Sequence, residues 1–392
     1  MELARIYLDH AATTPIHPAV TNEILRMLRE LPGNPSSISA EGRAAREALD
    51  RARGDIAHVL QADPEEIVFT SGGSESIALA IRGTAIAAAR ENRKHLVTTA
   101  IEHHAVLHTI QHLRNHHGFE ATIVAVDSVG QIDPAAVLAA VRNDTALVSV
   151  MYANNEVGSI QPLATIAAEL ETHPAVLHSD AIQAPGLLPI TIPALGVDLM
   201  SIAAHKFYGP KGIGVLYVRR GTRLSPQIIG GNQERGQRAG TENVAFAVGL
   251  STALTHAEQY RASNVSHNSD LRDALIGGIA SIPGSRLNGP YNNRLANNVN
   301  VVFKNVDSES LLLRLDAAGI AASSGSACTS ASLEPSHVLQ AMGLSPDLAA
   351  GSLRLTTGRE NTMAQINRTI EILHDLVPNL QRTYVAKLGG VE

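Results

Sequence analysis

The stretch Leu199-Met200-Ser201-Ile202-Ala203-Ala204-His205-Lys206 joins an apolar run to a lysine. A continuous apolar run of this kind is typical of a strand buried on both faces of a sheet. Lysine is unusual at the end of such a strand. Burial lowers the pKa of its amine toward the neutral form that Schiff-base chemistry needs. Lys211 is the weaker candidate, because its Gly/Pro turn is expected to be exposed.

Outward from this stretch, apolar β-branched runs alternate with alanine-rich helical segments. The other predicted strands are residues 66–70, 95–99, 122–126, 146–152, 176–179 and 214–218, and the helices between them are residues 75–92, 105–117, 134–142 and 163–173. This alternation predicts an α/β fold with a mostly parallel sheet of about seven strands. Only ten residues join strands 199–203 and 214–218, which is too short for a helical crossover, so we expect one antiparallel pair there.

The pattern changes near residue 261. A helix (269–281), a strand (298–303), a helix (308–318), a strand (352–356) and a final helix (363–380) indicate a smaller α+β C-terminal domain, with its boundary in the polar stretch 260–268. A chain of 392 residues is long for a single core. We therefore predict a large domain over residues 15–260. Residues 1–14 plus 261–392 form the small domain, which carries the loop 323–335.

Composition excludes several classes of protein. The formal charge of −6 gives no electrostatic basis for binding nucleic acid or an anionic membrane. Aromatic residues make up 3% of the chain and tryptophan is absent, so base-stacking platforms are not expected. No apolar run approaches the ~20 residues that cross a bilayer, and no segment resembles a signal peptide. A single cysteine excludes an internal disulfide and favours a reducing, cytoplasmic location.

Candidate site residues follow the predicted strands, where ligands bind in open parallel sheets. Gly73 and Ser74 stand before a helix whose first amides and dipole favour a phosphate, although the same residues make an ordinary turn and N-cap. Asp180 ends another strand, and a buried carboxylate there needs a positive partner such as a protonated heterocyclic nitrogen. An aspartate, a phosphate site and Lys206 at successive strand ends are the groups that pyridoxal 5′-phosphate (PLP) requires.

Two further residues have both a functional and an incidental explanation. His103 could stack on a planar cofactor or move protons, but the chain holds 17 histidines and any one is more often incidental. Asn155 could donate to a carboxylate or phenolate oxygen, or belong to an ordinary turn.

The lone cysteine lies in the run Ser323-Ser324-Gly325-Ser326-Ala327-Cys328-Thr329-Ser330-Ala331-Ser332. These small and polar residues are typical of a surface loop rather than a core. An exposed thiol titrates near its free pKa of ~8.5 and can form a reactive thiolate. Taken alone, Cys328 is equally well explained as a surface thiol without a role.

Taken together, these motifs resemble a known family. The chain is similar, from Tyr7-Leu8-Asp9-His10 to its final helix, to the class V aminotransferase-like, fold type I PLP enzymes with an aspartate aminotransferase-like large domain. Within them it resembles the cysteine desulfurases of the NifS/IscS group. The cysteine run continuing to His337 carries this resemblance, together with Gly230-Gly231-Asn232-Gln233-Glu234-Arg235-Gly236 and Arg238-Ala239-Gly240-Thr241-Glu242-Asn243.

The resemblance implies a role for each matching residue. Lys206 would attach the cofactor, Asp180 would pair with its ring nitrogen, Gln183 would contact its phenolic oxygen, and His103 would stack on the ring and move protons. Gly73, Ser74 and His205 would hold the phosphate, with Ala203 where the family usually has a serine. Thr241 would contact the phosphate of the neighbouring subunit, which implies a homodimer. Asn155 and Arg354 would bind the substrate carboxylate.

The implied reaction converts L-cysteine to L-alanine and leaves the sulfur on Cys328 as a persulfide. The sulfur would supply an acceptor protein such as an iron–sulfur scaffold, or other thio-cofactors. Cys328 would also be a transient iron–sulfur ligand shared with that scaffold. The alternatives are a selenocysteine or cysteine lyase, an aminotransferase of the same family, or a non-catalytic sulfur carrier. The tail beyond Leu380 is shorter than the extension with which IscS proteins dock their scaffold.

Overall fold

The computed structural model describes residues 5–324 and 335–389. The strands of this part of the chain are β1 (Ile6–Tyr7), β2 (Ile67–Thr70), β3 (His95–Thr99), β4 (Glu120–Val124), β5 (Thr145–Ser149), β6 (Val176–Asp180), β7 (Leu199–Ala203), β8 (Gly214–Val218), β9 (Ser285–Asn288), β10 (Asn298–Phe303), β11 (Ile320–Ala321) and β12 (Ser352–Thr356). Its α-helices are α1 (Pro18–Glu30), α2 (Ala40–Leu60), α3 (Gly73–Ala89), α4 (His104–His117), α5 (Pro134–Ala140), α6 (Leu163–Leu170), α7 (Ile192–Leu195), α8 (Val244–Gln259), α9 (Arg261–Ala280), α10 (Ser308–Ala317), α11 (His337–Ala341), α12 (Pro346–Ala349) and α13 (Met363–Gly389).

The central sheet of the described chain has seven strands in the order β2-β8-β7-β6-β5-β3-β4. Strands β3 to β7 are mutually parallel, whereas β8 is antiparallel to both of its neighbours, β2 and β7. The predicted α/β class, the mostly parallel sheet and the antiparallel pair β7–β8 are therefore confirmed.

Helices cover both faces of this sheet, which is why most of its strands are buried throughout. One face packs on α1, α2 and α8 and the other on α3 and α4, and each face forms its own buried cluster. The edge strand β4 is the exception, since only its last residue is buried. Helices α1 and α2 lie outside the segments predicted above, although Ser39 gives an N-cap signal by accepting a hydrogen bond from the Gly42 amide.

Three predicted strands end elsewhere in the structure: β6 ends one residue later than predicted, at Asp180, and the other two end earlier. The strand predicted at 122–126 is β4, two residues earlier, and the run 146–152 leaves the sheet after Ser149. Val150 and Tyr152 still donate backbone hydrogen bonds to the carbonyls of His178 and Asp180. The apolar run thus continues beyond the strand because these residues remain buried behind the strand ends.

The C-terminal part contains an antiparallel sheet in the order β12-β10-β9, packed against α9, α10 and α13. The short strand β1 pairs in parallel with β11, which brings the N-terminal segment to this part. The predicted helix start at residue 269 is wrong, because α9 already begins at Arg261. Its polar Asn268 is buried and accepts a hydrogen bond from Thr357 Oγ1 at 2.7 Å, so polarity there did not mean exposure. The proposed division of the chain into two domains stays a prediction.

A buried polar chain crosses the middle of the central sheet. His178 of β6 bonds through Nδ1 to Ser149 Oγ of β5 at 2.9 Å and through Nε2 to Ser201 Oγ of β7 at 3.0 Å. Ser76 of α3 donates to Ser201 Oγ at 2.9 Å. Burial lowers the pKa of His178 to about 3, so the imidazole is neutral and can donate through one nitrogen and accept through the other.

Within the described residues, no helix combines the length and apolar character that a membrane crossing requires.

Replacing His178 with leucine should lower the free energy of unfolding by about 1–3 kcal/mol, because the buried Ser149 hydroxyl loses its partner and the Ser201 hydroxyl keeps only Ser76. The matched control is Ser179→Ala at the next buried position. Ser179 Oγ has no hydrogen-bond partner among the described residues, so its removal should be neutral or stabilising. Urea unfolding measures both changes, and equal effects would contradict this account of the polar chain.

Candidate active site

The carboxyl ends of the parallel strands β3, β5, β6 and β7 meet at a cavity of about 410 Å³. It brings together ten of the predicted site residues: Gly73, Ser74, His103, Asn155, Asp180, Gln183, Ala203, His205, Lys206 and Arg354. Thr241 does not line the cavity and is exposed. Cys328 lies outside the described residues. The cavity therefore brings together side chains that are spread over 282 positions of the sequence, from 73 to 354.

Lys206 ends the short 3₁₀ turn Ala204–Lys206 that follows β7. Its Nζ donates hydrogen bonds to the backbone carbonyls of Ala11 at 2.6 Å and Ala12 at 2.7 Å. The Ala11 amide donates to Thr356 Oγ1, so this N-terminal segment is itself held by β12. The N-terminal segment thus forms one wall of the cavity and fixes the position of the lysine.

Asp180 ends β6, the strand adjacent to β7. Burial raises the pKa of its carboxyl to about 6, although the Ile182 amide, donating to Oδ1 at 3.0 Å, and the charge of Lys206 both lower it. The side-chain amide of Gln183 donates from Nε2 to the Ala11 carbonyl at 3.1 Å. A buried carboxyl whose pKa is close to neutral pH is well suited to pair with a positively charged ligand atom, because that pairing stabilises the ionised carboxylate.

His103 is the N-cap of α4, and its Nδ1 accepts a hydrogen bond from the Ala105 amide at 3.0 Å. Burial, reinforced by the charge of Lys206, lowers the pKa of His103 to about 4. The imidazole is therefore neutral near pH 7. Because Nδ1 accepts, the ring hydrogen is on Nε2.

The turn between β2 and α3 is the part of the cavity best suited to an anion. Gly73 begins α3, a helix of 17 residues whose first amides have no intrahelical partner. A Cβ on Gly73 would lie 2.3 Å from Ile182 Cδ1, so a side chain at this position would require the Ile182 side chain to move. His205 also lines the cavity; burial lowers its pKa to about 4, and its Nδ1 contacts Thr13 Oγ1 at 3.2 Å.

Arg354 of β12 is 1% exposed and already has two partners. Its Nη2 forms an ion pair with Asp9 Oδ1 at 2.7 Å, and its Nη1 donates to the Asn155 carbonyl at 3.1 Å. Its Nε has no hydrogen-bond partner among the residues that the structure describes. The guanidinium is thus held at the cavity with one donor still available.

Two buried carboxyls at the site were not among the predicted residues. Glu102 is fully buried, and its Oε1 accepts hydrogen bonds from Thr99 Oγ1 and the Met151 amide, both at 2.8 Å. Burial raises its pKa to about 8, so it is largely protonated at neutral pH. Its place directly before His103 at a strand end was the available sequence signal.

Glu156 lines the cavity and joins it to the segment around residue 336. Ser336, the N-cap of α11, donates from Oγ to Glu156 Oε2 and accepts from the Leu339 amide at 3.2 Å. Burial raises the pKa of Glu156 to about 7, opposed by Ser336 and by the charge of Arg354. A Ser-His-Val-Leu run after Pro335 is an N-cap signal, but its contact with residue 156 was not visible in the sequence.

Both described ends of the cysteine loop are attached to the cavity wall. Ser323 forms an antiparallel bridge with Arg354, whose amide donates to the Ser323 carbonyl at 2.6 Å. At the other end, Ser336 contacts Glu156 and His337 Nε2 bonds to the Glu102 carbonyl at 2.9 Å. The chain that includes Cys328 therefore starts and finishes at this cavity.

A family model described as aminotransferase class-V matches residues 6–369. A solved structure of a NifS-like protein superposes with a TM-score of 0.89 at 34% identity, covering 95% of this chain and 99% of that one. A solved structure of SspA in complex with cysteine gives a TM-score of 0.81 at 34% identity, covering 91% and 100%. The fold and the matched model define a protein of the class V aminotransferase type.

Curated relatives narrow this class. "Cysteine desulfurase IscS" of Methanosarcina thermophila is 46% identical over 378 residues, or 96% of this chain and 93% of the relative. The protein of the same name from Dictyoglomus turgidum is 45% identical over 377 residues, covering 96% and 95%. The chain therefore belongs to the cysteine desulfurase family within the class V aminotransferases.

Replacing Glu102 with glutamine should make the protein relatively more stable as pH rises. With a folded pKa near 8 against an ordinary 4.5, the native state keeps a proton that the unfolded chain releases between those values. The stability that protonated Glu102 contributes is therefore lost from about pH 4.5 to 8, whereas glutamine does not titrate.

Urea unfolding of both proteins at pH 5, 6, 7 and 8 measures this difference. Glu309→Gln, at an exposed position of α10, is the control. Its difference in unfolding free energy from the wild type should not change with pH. If the difference in unfolding free energy between Glu102→Gln and the wild type does not change with pH, Glu102 is ionised in the native protein.

Proposed function

We propose that this protein converts L-cysteine to L-alanine with PLP as cofactor, and that Cys328 receives the sulfur as a persulfide. The observation that carries the proposal is the placement of Asp180 and Lys206 at the ends of adjacent strands in one cavity. The names of the curated relatives and the cysteine-bound SspA structure support L-cysteine as the substrate.

The donors in the cavity fit PLP group by group. The Lys206 amine would attach the aldehyde carbon, Asp180 would face the ring nitrogen, and Gln183 the phenolic oxygen. The amides at Gly73 and Ser74, with His205, would hold the phosphate. Asn155 and Ala203 would complete the wall. When bound, the cofactor supplies an electron sink for charge that develops on the amino acid.

The chain's own residues then have separate tasks. Neutral His103 presents an imidazole with its hydrogen on Nε2, which suits it to hold or pass a proton. Lys206 would be a second proton carrier within the same cavity. Arg354 would bind the substrate carboxylate through its available Nε while sharing its remaining charge with Asp9.

The covalent chain limits how far Cys328 can lie from the cavity. Cys328 is five positions after Ser323, which is fixed at Arg354, and an extended chain spans at most ~3.3–3.6 Å per residue. The Cα of Cys328 therefore lies within roughly 17–18 Å of the Cα of Ser323. In the net step, the carbon–sulfur bond of the substrate breaks and a sulfur–sulfur bond forms at Cys328 Sγ. The substrate's β-carbon takes up a proton, which yields alanine.

The persulfide would pass its sulfur to an acceptor protein such as an iron–sulfur scaffold, and Cys328 would ligate the nascent cluster transiently. Thr241 is exposed and lies outside its own cavity, as expected for a residue that serves the phosphate of a second copy. We therefore propose a homodimer as the active unit.

Purified protein with PLP, L-cysteine and a reductant should release alanine and sulfide in equal amounts. Cys328→Ala should keep the visible absorbance of bound PLP and lose desulfuration, because the chain has no other cysteine to receive the sulfur. Alanine and sulfide assays, together with mass spectrometry of the protein, measure the product and the persulfide.

Normal desulfuration by the Cys328→Ala variant would show that the Cys328 thiol is not the sulfur acceptor. Turnover that requires a keto acid would identify an aminotransferase instead, and activity with selenocysteine alone would identify a selenocysteine lyase.

Asp180→Asn should weaken PLP binding by roughly tenfold or more, the order that one charged hydrogen bond contributes. Because the carboxyl has a pKa of about 6, wild-type binding should weaken as pH falls through 6, whereas that pH dependence should vanish in Asp180→Asn. Absorbance titration of the cofactor-free protein at pH 5.5 to 8 measures both effects. Equal affinity and an unchanged pH profile would remove Asp180 from the ring-nitrogen site.

A further inference from the structure

The segment 228–243 connects β8 to α8 and holds both glycine-rich motifs noted in the sequence. Its base is fixed by Glu234, which is 4% exposed and forms a two-point ion pair with Arg53 of α2 at 2.7 and 2.8 Å. Glu234 Oε2 also accepts from the Phe69 amide of β2 at 2.9 Å. Glu234 and Arg235 have φ of 46° and 56°, a strained region for non-glycine residues that these contacts hold in place.

A second ion pair joins this segment to the turn between β2 and α3. Arg238 donates from Nε to Glu75 Oε1 at 2.8 Å and from Nη2 to Glu75 Oε2 at 3.3 Å. Glu75 Oε2 also accepts from the Ser71 amide at 2.8 Å. Both side chains are about four-fifths buried (21% and 19% exposed), so solvent screens this pair less than a surface pair.

The contacts of Glu75 therefore lie on both sides of the turn that carries Gly73 and Ser74. It follows these two residues in the first turn of α3, where a negative charge is favourable, and bonds back to Ser71 ahead of them. The two cavity residues are thus enclosed by a contact that Arg238 completes.

Arg238 in turn lies three residues before the exposed Thr241. Between them the Gly240 amide donates to Gln233 Oε1 at 3.0 Å, and the Ala239 amide donates to the Ile228 carbonyl at 3.2 Å. The segment is folded back on itself, so a displacement of Arg238 would be passed to Thr241.

We propose that Glu75 and Arg238 are positioning residues that couple the anion-binding turn of one subunit to the segment that carries Thr241. The inference rests on the proposed function, in which the turn holds the cofactor phosphate and Thr241 serves the partner subunit's site. Phosphate binding at the turn and placement of the segment then stabilise each other, because any contact that orders one of them favours the other.

The test uses the full-length protein with cofactor removed, and the variants Glu75→Gln and Arg238→Gln. Neither residue lines the cavity. Each variant should weaken PLP binding by roughly tenfold, the order of one hydrogen bond to a charged group. The double variant should be no weaker than the worse single variant, since both substitutions remove the same contact. Arg223→Gln, which breaks an exposed ion pair with Glu91 away from the cavity, should leave the affinity unchanged.

Hydrogen exchange of the cofactor-free proteins gives a readout independent of PLP. Arg238→Gln should speed exchange at residues 71–76, and Glu75→Gln should speed exchange at residues 236–243, while α2 and β2 remain protected through the intact Arg53–Glu234 pair. Melting temperatures of the variants show that they are folded.

Exchange that changes only on the substituted side would overturn the coupling, as would wild-type PLP affinity in both variants. A wild-type protein that fails to bind PLP at all would refute the proposed function instead. In that case the exchange measurement still decides whether the turn and the segment are coupled.

Discussion

The register of β5, β6 and β7 is the constraint on which the rest of the site depends, and the buried His178 holds it. Its two ring nitrogens bond to Ser149 and Ser201 on the flanking strands, and a one-residue slip would break both of these buried hydrogen bonds. In this register Asp180 of β6 lies opposite Ser201 of β7, so the polar residues that follow or end the two strands lie at the same edge of the sheet. Asp180 and Lys206 are thereby close enough for the charge of the lysine to lower the pKa of the aspartate.

The sheet edge supplies only part of the cavity. The N-terminal segment closes one side through the carbonyls that accept from Lys206 and Gln183, and β12 supplies Arg354. Arg354 is bonded to Asp9 from that same segment and to Asn155 from the sheet edge. Three parts of the chain that are remote in sequence therefore meet at one guanidinium, and the backbone of the same arginine anchors the cysteine loop at Ser323. In the proposed function, a substrate carboxylate bound at Arg354 would thus be linked to the anchoring of that loop.

Much of this arrangement was predictable. Strands buried on both faces are rich in apolar and β-branched residues, so β3, β7, β8, β10 and β12 were predicted with their observed bounds, and the polar residues after β3 and β7 marked the cavity edge. The start of α9 was misjudged, because Asn268 is polar yet buried and paired with Thr357. Glu102 and Glu156 were missed for a related reason: a glutamate in the sequence does not reveal that burial will keep it close to neutral.

The sequence by itself determined the α/β class, the bounds of five strands and the residue types that suit cofactor chemistry, since these follow from local apolar patterns and from motifs within a few residues. Only the tertiary structure decided that Arg354 is shared with Asp9, that Ser336 bonds to Glu156, and that Glu75 meets Arg238. Each of these contacts joins residues more than 160 positions apart. Their partners are selected by the packing of the whole chain, because any buried charge must find whichever opposite charge or donor the fold brings beside it.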